Sequence, residues 1–172
     1  MKGIAGVLRL ILFVFGLVMG LIALVIIVWP FLSSIIHGAC WANAGDTAKQ
    51  INTEFDNLYN LQSLDARRMD ITLGDCVKVI SFVNREDLAD YIGEKNTDVQ
   101  CALKRDGYII VLPSSNARLN PKPICKPLPC DECYFGDVVE LEGPGKKKGV
   151  KTHSISITIS NKVFDIKKLN SD

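Results

Sequence analysis

Residues 10–29 read LILFVFGLVMGLIALVIIVW, twenty consecutive positions without a charge or a side-chain hydrogen-bonding group until the indole of Trp29. A helix of that length spans about 30 Å, the thickness of a bilayer's hydrocarbon core. A helix is also the open-chain structure that satisfies its own backbone in lipid. A buried core helix would show a polar face over so long a run. Trp29 falls where the far headgroup layer suits an amphipathic ring. The segment therefore reads as a transmembrane helix, with the lipid bilayer as its first partner. Gly16 and Gly20 are one turn apart and Ala23 extends the same face. Such a face lets a second helix approach closely, so a homo-oligomer or a partner in a membrane complex is expected there.

Outward from this stretch the charge is unevenly divided. The 172-residue chain carries 20 Lys+Arg and 19 Asp+Glu. Residues 1–45 contain Lys2, Arg9 and no acid, which leaves 18 bases against 19 acids in residues 46–172. This split excludes a uniform soluble globule, a disordered chain and a dedicated nucleic-acid binder. Lys2 and Arg9 flank the N-terminal side. By the positive-inside rule the N-terminus is cytoplasmic and residues 37–172 are extracytoplasmic. A secretory signal has an apolar region of roughly 7–15 residues, about half the run found here. A retained signal-anchor is thus favoured over cleavage near Ala42-Asn43-Ala44. It is also favoured over a lipoprotein at Gly38-Ala39-Cys40, where His37 occupies a position that usually holds an aliphatic residue.

The expected domains are a signal-anchor helix at 1–36, a linker at 37–45 and a β-rich domain at 46–172. Ala48, Ile51, Phe55 and Leu58 mark one helix face over 46–62, with Asp46 or Thr47 as its cap and Gln50 completing a capping box. Alternation then gives strands at 67–73 and 76–83, joined as a hairpin by Gly74-Asp75, with a short helix after residue 86 that Gly93 ends. Further strands are expected at 99–103 and 108–112 around Asp106-Gly107. Five prolines between 113 and 134 imply an irregular loop. Strands resume at 137–142, 153–159 and 163–169. Lys146-Lys147-Lys148 read as a solvated tip between glycines. The fold class is α+β: a transmembrane helix, then a small, mainly antiparallel, sandwich-like β domain with one packed helix.

Cys40, Cys76, Cys101, Cys125, Cys130 and Cys133 all follow the membrane helix. In an oxidising compartment they are disulfide candidates, with fifteen possible connectivities. Cys76 and Cys101, both in expected strands, could pair. A bridge from Cys125, Cys130 or Cys133 to a strand would anchor the Pro-rich loop. Cys-x4-Cys-x2-Cys also opens a plant-type ferredoxin site, but the fourth cysteine is lacking. A zinc ribbon needs a second Cys-x2-Cys pair. No metal and no cofactor are expected. His37 and His153 form no triad with a serine and a carboxylate, so no catalytic residue is assigned and a non-enzymatic role is expected.

The start Met1-Lys2-Gly3-Ile4-Ala5-Gly6, running straight into the apolar helix, resembles the signal of archaeal type IV pilin-like proteins. The resemblance covers about the first 35 residues. It implies cleavage between Gly3 and Ile4 after a short basic leader, and a helix retained for packing in a filament core. Arg9 departs from that pattern, since it falls within the packing region. The function expected is a single-pass, membrane-anchored extracytoplasmic protein acting by assembly or binding, with a filament subunit as its sharpest form. The alternatives are a bitopic accessory subunit of a membrane complex and a membrane-tethered Cys-x2-Cys redox or metal protein.

Overall fold

A computed structural model of the chain describes residues 2–61, 66–95, 97–101, 105–115, 117, 121–145 and 149–169, with backbone alone for 2–11, 33, 34, 36 and 37. Two compact units result, Met1–Ile36 and His37–Asp172. Helix α1, Lys2–Leu61, contributes to both.

In the first unit, Leu12–Leu32 has a mean hydropathy of 3.0 and no buried side chain. Leu, Val, Ile and Phe cover every face, so nothing in the unit hides them. Pro30 lies inside the helix. The amide hydrogen it lacks leaves one carbonyl of the preceding turn without its helical partner.

In the second unit α1 is amphipathic. Ala44, Ala48, Ile51, Phe55 and Leu58 are each 3% exposed or less. Spacings of four and three place them in one stripe. Lys49, Thr53, Asp56 and Asn60 are exposed opposite. Residues 37–45, expected as a linker, are helical. Their composition explains this: Ala39, Ala42 and Ala44 are strong helix formers, and no proline interrupts them. Thr47 accordingly caps nothing. Its hydroxyl donates to the Asn43 carbonyl, 2.9 Å away and one turn back.

Eight strands follow: β1 (Arg67–Gly74), β2 (Val77–Asn84), β3 (Gly107–Pro113), β4 (Ile124–Pro127), β5 (Tyr134–Phe135), β6 (Val139–Glu142), β7 (Val150–Ser160) and β8 (Val163–Leu169). Helix α2, Leu88–Lys95, lies between β2 and β3 and runs through Gly93. Sheet 1 has the order β1-β7-β8-β5 and sheet 2 the order β4-β3-β2-β6. Every pairing is antiparallel except β5 with β8. The α+β class with a small, mainly antiparallel β domain is therefore present.

One core fills the space between the inner faces of both sheets and the α1 stripe. Phe55 occupies its centre, with ring centroids 5.9 Å from Phe82 of sheet 2 and 5.7 and 4.7 Å from Phe135 and Phe164 of sheet 1. A second core covers the other face of sheet 2, where Val79, Val83, Tyr108, Ile110 and Leu112 meet Leu88 and Tyr91 of α2. Strands β2 and β3 are thus buried on both faces, which is why they read as nearly continuous apolar runs. Ser81 is tolerated there because its hydroxyl lies 2.6 Å from the Tyr91 hydroxyl.

Three expectations about the strands fail. β1 and β2 are not a hairpin: β1 pairs with β7, and β2 with β3 and β6. The corner at Gly74 turns the chain from one sheet into the other. A Cβ there would sit 2.8 Å from Cys40 Sγ, so the corner needs glycine. Residues 99–101 join no ladder, and 102–104 lie outside the described residues. The Pro-rich stretch is not wholly irregular, since it contains β4 and β5. β4 is an edge strand with Pro127 at its end, a position that tolerates the missing amide hydrogen. The β7–β8 turn at Asn161 is as expected: Asn161 and Lys162 have φ of 50° and 67°, the left-handed pair of a tight hairpin. Lys146–Lys148 lie outside the described residues.

Candidate functional site

The six cysteines form three bridges: Cys40–Cys76, Cys101–Cys125 and Cys130–Cys133. The expected Cys76–Cys101 pair is not among them. Cys76 belongs to the core between the sheets, whereas Cys101 packs on the opposite face of sheet 2. The sheet itself separates them. Cys125, on β4, packs on the same side as Cys101 and is its partner. This bridge fastens β4, inside the Pro-rich stretch, to residues 97–101, which form no strand, so the loop is tied down but not to the strand expected at 99–103. Cys40 is spent on Cys76, so its sulfur is not open to lipid attachment. Among the described residues no cysteine is free, and no group of three or more His, Cys, Asp or Glu is placed to hold a metal.

Cys130 and Cys133 are 4% and 0% exposed. The tight loop they close carries Glu132 in the left-handed region, at φ 58°. Its two carboxylates reach outward to different parts of the domain. Asp131 pairs with Arg105, just before β3, and Glu132 pairs at 2.5 Å with Lys162 in the β7–β8 turn. The Lys162 ammonium donates a hydrogen bond to Glu132 and adds its charge, holding that carboxyl below its ordinary range. The same contact raises Lys162.

Beside this loop Asn84 ends β2. Its Oδ1 accepts the Phe135 amide hydrogen at 2.8 Å, and its Nδ2 donates to the Phe135 carbonyl at 3.0 Å. The side chain thus imitates a neighbouring strand and joins sheet 2 to β5 of sheet 1. Around these contacts opens a groove of about 600 Å³ lined by Asn84, Arg85, Glu86, Asp106, Glu132 and Tyr134. Backbone bonds shape its wall: the Arg85 amide donates to Asp106 at 2.7 Å, and the Leu128 amide to Gly107 at 2.9 Å. Gly107 admits no side chain, because a Cβ would meet Leu128 Cδ1 at 2.5 Å.

The groove offers one guanidinium, three carboxylates and a Tyr134 ring that is 46% exposed. Such a set suits recognition of a polar ligand by hydrogen bonds. Sequence reading did not find it. The available signal was Asn84, a polar residue closing an apolar strand, and it has no meaning without Phe135. His153 lies at the edge of the inner face, its Nε2 2.7 Å from the Glu142 carbonyl oxygen. Elsewhere, burial raises the Tyr91 phenol, partly offset by Ser81.

In the first unit, a Cβ added at Gly16 or Gly20 would meet nothing within 4 Å, and Ala23 is exposed. Gly3 and Ile4 lie within α1. The structure therefore gathers the cysteines into braces, leaves the Gly16/Gly20/Ala23 face open, and adds a groove. Comparison of the chain with family models, curated proteins and solved structures finds no match.

Proposed function

We propose that this is a single-pass membrane protein whose β domain lies outside the cytoplasm and acts by assembly or binding. The observation that carries this reading is the candidate span itself, Leu12–Leu32, apolar on every face and without one buried side chain. Exposing so much apolar surface to water is unfavourable at roughly 25 cal/mol per Å². Lipid removes that penalty. Two further facts support the side. Lys2 and Arg9 precede the span, and the six cysteines that follow it pair into three bridges, which an oxidising exterior compartment favours.

The sharper form is a pilin-like subunit, cut between Gly3 and Ile4 and packed with copies of itself through the retained helix. A second reading, a bitopic accessory subunit, draws on the open Gly16/Gly20/Ala23 face, where a neighbouring helix meets no side chain. Protease and thiol-reagent accessibility on sealed membranes tests the common part. The expected result is a domain reached only from the exterior and no alkylation without a reductant. Partition into the soluble fraction after alkaline carbonate washing would remove the anchor. N-terminal sequencing of native protein separates the two forms: Ile4 first supports the pilin form, and an intact Met1 eliminates it.

A further inference from the structure

We infer that the Cys40–Cys76 bridge is a load path, which carries tension from the anchor into sheet 2 and leaves the packed part of α1 slack. The inference rests on reading the first unit as an anchor, and adds what the domain does when that anchor is pulled.

Cys40 comes eight residues after the end of the apolar span and just before the stripe that begins at Ala44. Its partner stands immediately before β2. A pull arriving along the chain at residue 39 meets two covalent routes. One is the backbone through residues 41–61, held by Ala44, Ala48, Ile51, Phe55 and Leu58 packed in sequence along one stripe. Without a bridge those contacts are lost turn by turn, and each step opposes the pull with one turn's packing. That is local unfolding from an end, which needs far less than global unfolding.

The other route crosses the disulfide. It delivers the load to β2, which is laddered on both sides: to β3 from Val77↔Pro113 to Asn84↔Gly107, and to β6 from Val79↔Glu142 to Phe82↔Val139. Those ladders and the two cores around them must give way together. The stretch enclosed by the bridge, residues 41–75, feels no tension while the bond holds. The enclosed stretch includes Phe55, the side chain that joins both sheets. The bridge therefore protects the part of the core whose loss would separate the sheets.

Single-molecule pulling on the full chain in detergent micelles tests this, with one handle at the C-terminus and the other at the N-terminus or at Lys49. Lys49 is exposed and lies inside the bridged stretch. Pulled from the N-terminus, the wild-type protein is expected to open in a single high-force event. Pulled from Lys49, where the load enters the packed helix before it reaches the bridge, the same protein should show an earlier, separate low-force step. The double variant C40A/C76A, pulled from the N-terminus, should show that early step too. Its total extension should be longer by about 120 Å, the reach of a sequence separation of 36 residues. Mass spectrometry of the remaining two bridges verifies that the variant is folded. Equal opening forces from both handles on the wild-type protein would overturn the inference, with or without a folded variant. Failure of the anchor reading is seen separately, in membrane extraction, because the pulling measurement needs no bilayer.

Discussion

Replacing Asn84 tests how the two sheets are held together beside the groove. In Asn84→Ala the Phe135 amide hydrogen and carbonyl lose their partners at 2.8 and 3.0 Å. Phe135 is 1% exposed, so water does not readily replace them. A buried polar group left unpaired costs about 1–3 kcal/mol. Two of them give an expected loss of about 2–6 kcal/mol, a large share of the ~5–15 kcal/mol that holds a domain. Asn84→Asp separates the two bonds. The introduced carboxylate still accepts from the Phe135 amide, but it turns a second oxygen toward the Phe135 carbonyl. That repulsion is relieved when the carboxyl takes up a proton and donates, so its folded pKa must rise above the unfolded value of about 4. The folded state then binds more protons than the unfolded state between those two values. Folding stability relative to wild type must therefore increase as pH falls through the raised pKa. The gain is at most about 1.4 kcal/mol for each pH unit. Urea unfolding of the full chain in micelles, followed by tryptophan fluorescence from pH 7 to pH 4, measures the difference. A gap between Asn84→Asp and wild type that stays constant or widens on acidification would refute the reasoning, as would an Asn84→Ala cost below about 0.5 kcal/mol.

Phe55→Ala removes a fully buried ring with three aromatic neighbours, and should cost about 3–5 kcal/mol by the same unfolding assay. Phe13→Ala, at a position 69% exposed in the apolar span, should leave the β domain unchanged. Tyr91→Phe orphans the Ser81 hydroxyl and should cost about 1–2 kcal/mol; adding Ser81→Ala should cost less than the two single changes together. Lys162→Ala should raise the Glu132 titration midpoint toward the ordinary carboxylate range, read by NMR. In the wild-type protein the Glu132–Lys162 contribution is present at neutral pH and fades as pH falls through the lowered Glu132 value.

The sequence was most legible where one periodicity governs one surface. The Ala48–Leu58 stripe, the alternation of Ile155, Ile157 and Ile159, and the Asn161 turn each depend on local geometry, and each is found in the structure. Partners were less legible. Alternation states which face of β1 is buried, but not that β7 lies beside it, because any strand with a matching face would serve. Composition misled at 37–45, where a helix continues because alanines allow it and nothing stops it. The short strands β4 and β5 escaped because two to four residues carry no period, and each is held in place by one long strand beside it. The groove was invisible for a related reason. Its walls come from the end of β2, the turn before β3, the Cys130–Cys133 loop and β5, four stretches that sequence order does not bring together.

The pairing of β1 with β7 also sets a timetable. Arg67 faces Ile157, so β1 emerges from the ribosome long before its neighbour exists. β2, β3, β4 and β6 have all been made by residue 142, and sheet 2 is then complete. The last cysteine, Cys133, has emerged as well. Every disulfide can thus close while β1 is still waiting, and contacts of such long sequence separation are the slow ones to form. Sheet 1 is the final layer of the molecule to be laid. Until β7 arrives, β1 presents an unpaired edge of eight residues, the stretch of a nascent chain most exposed to pairing with the wrong neighbour.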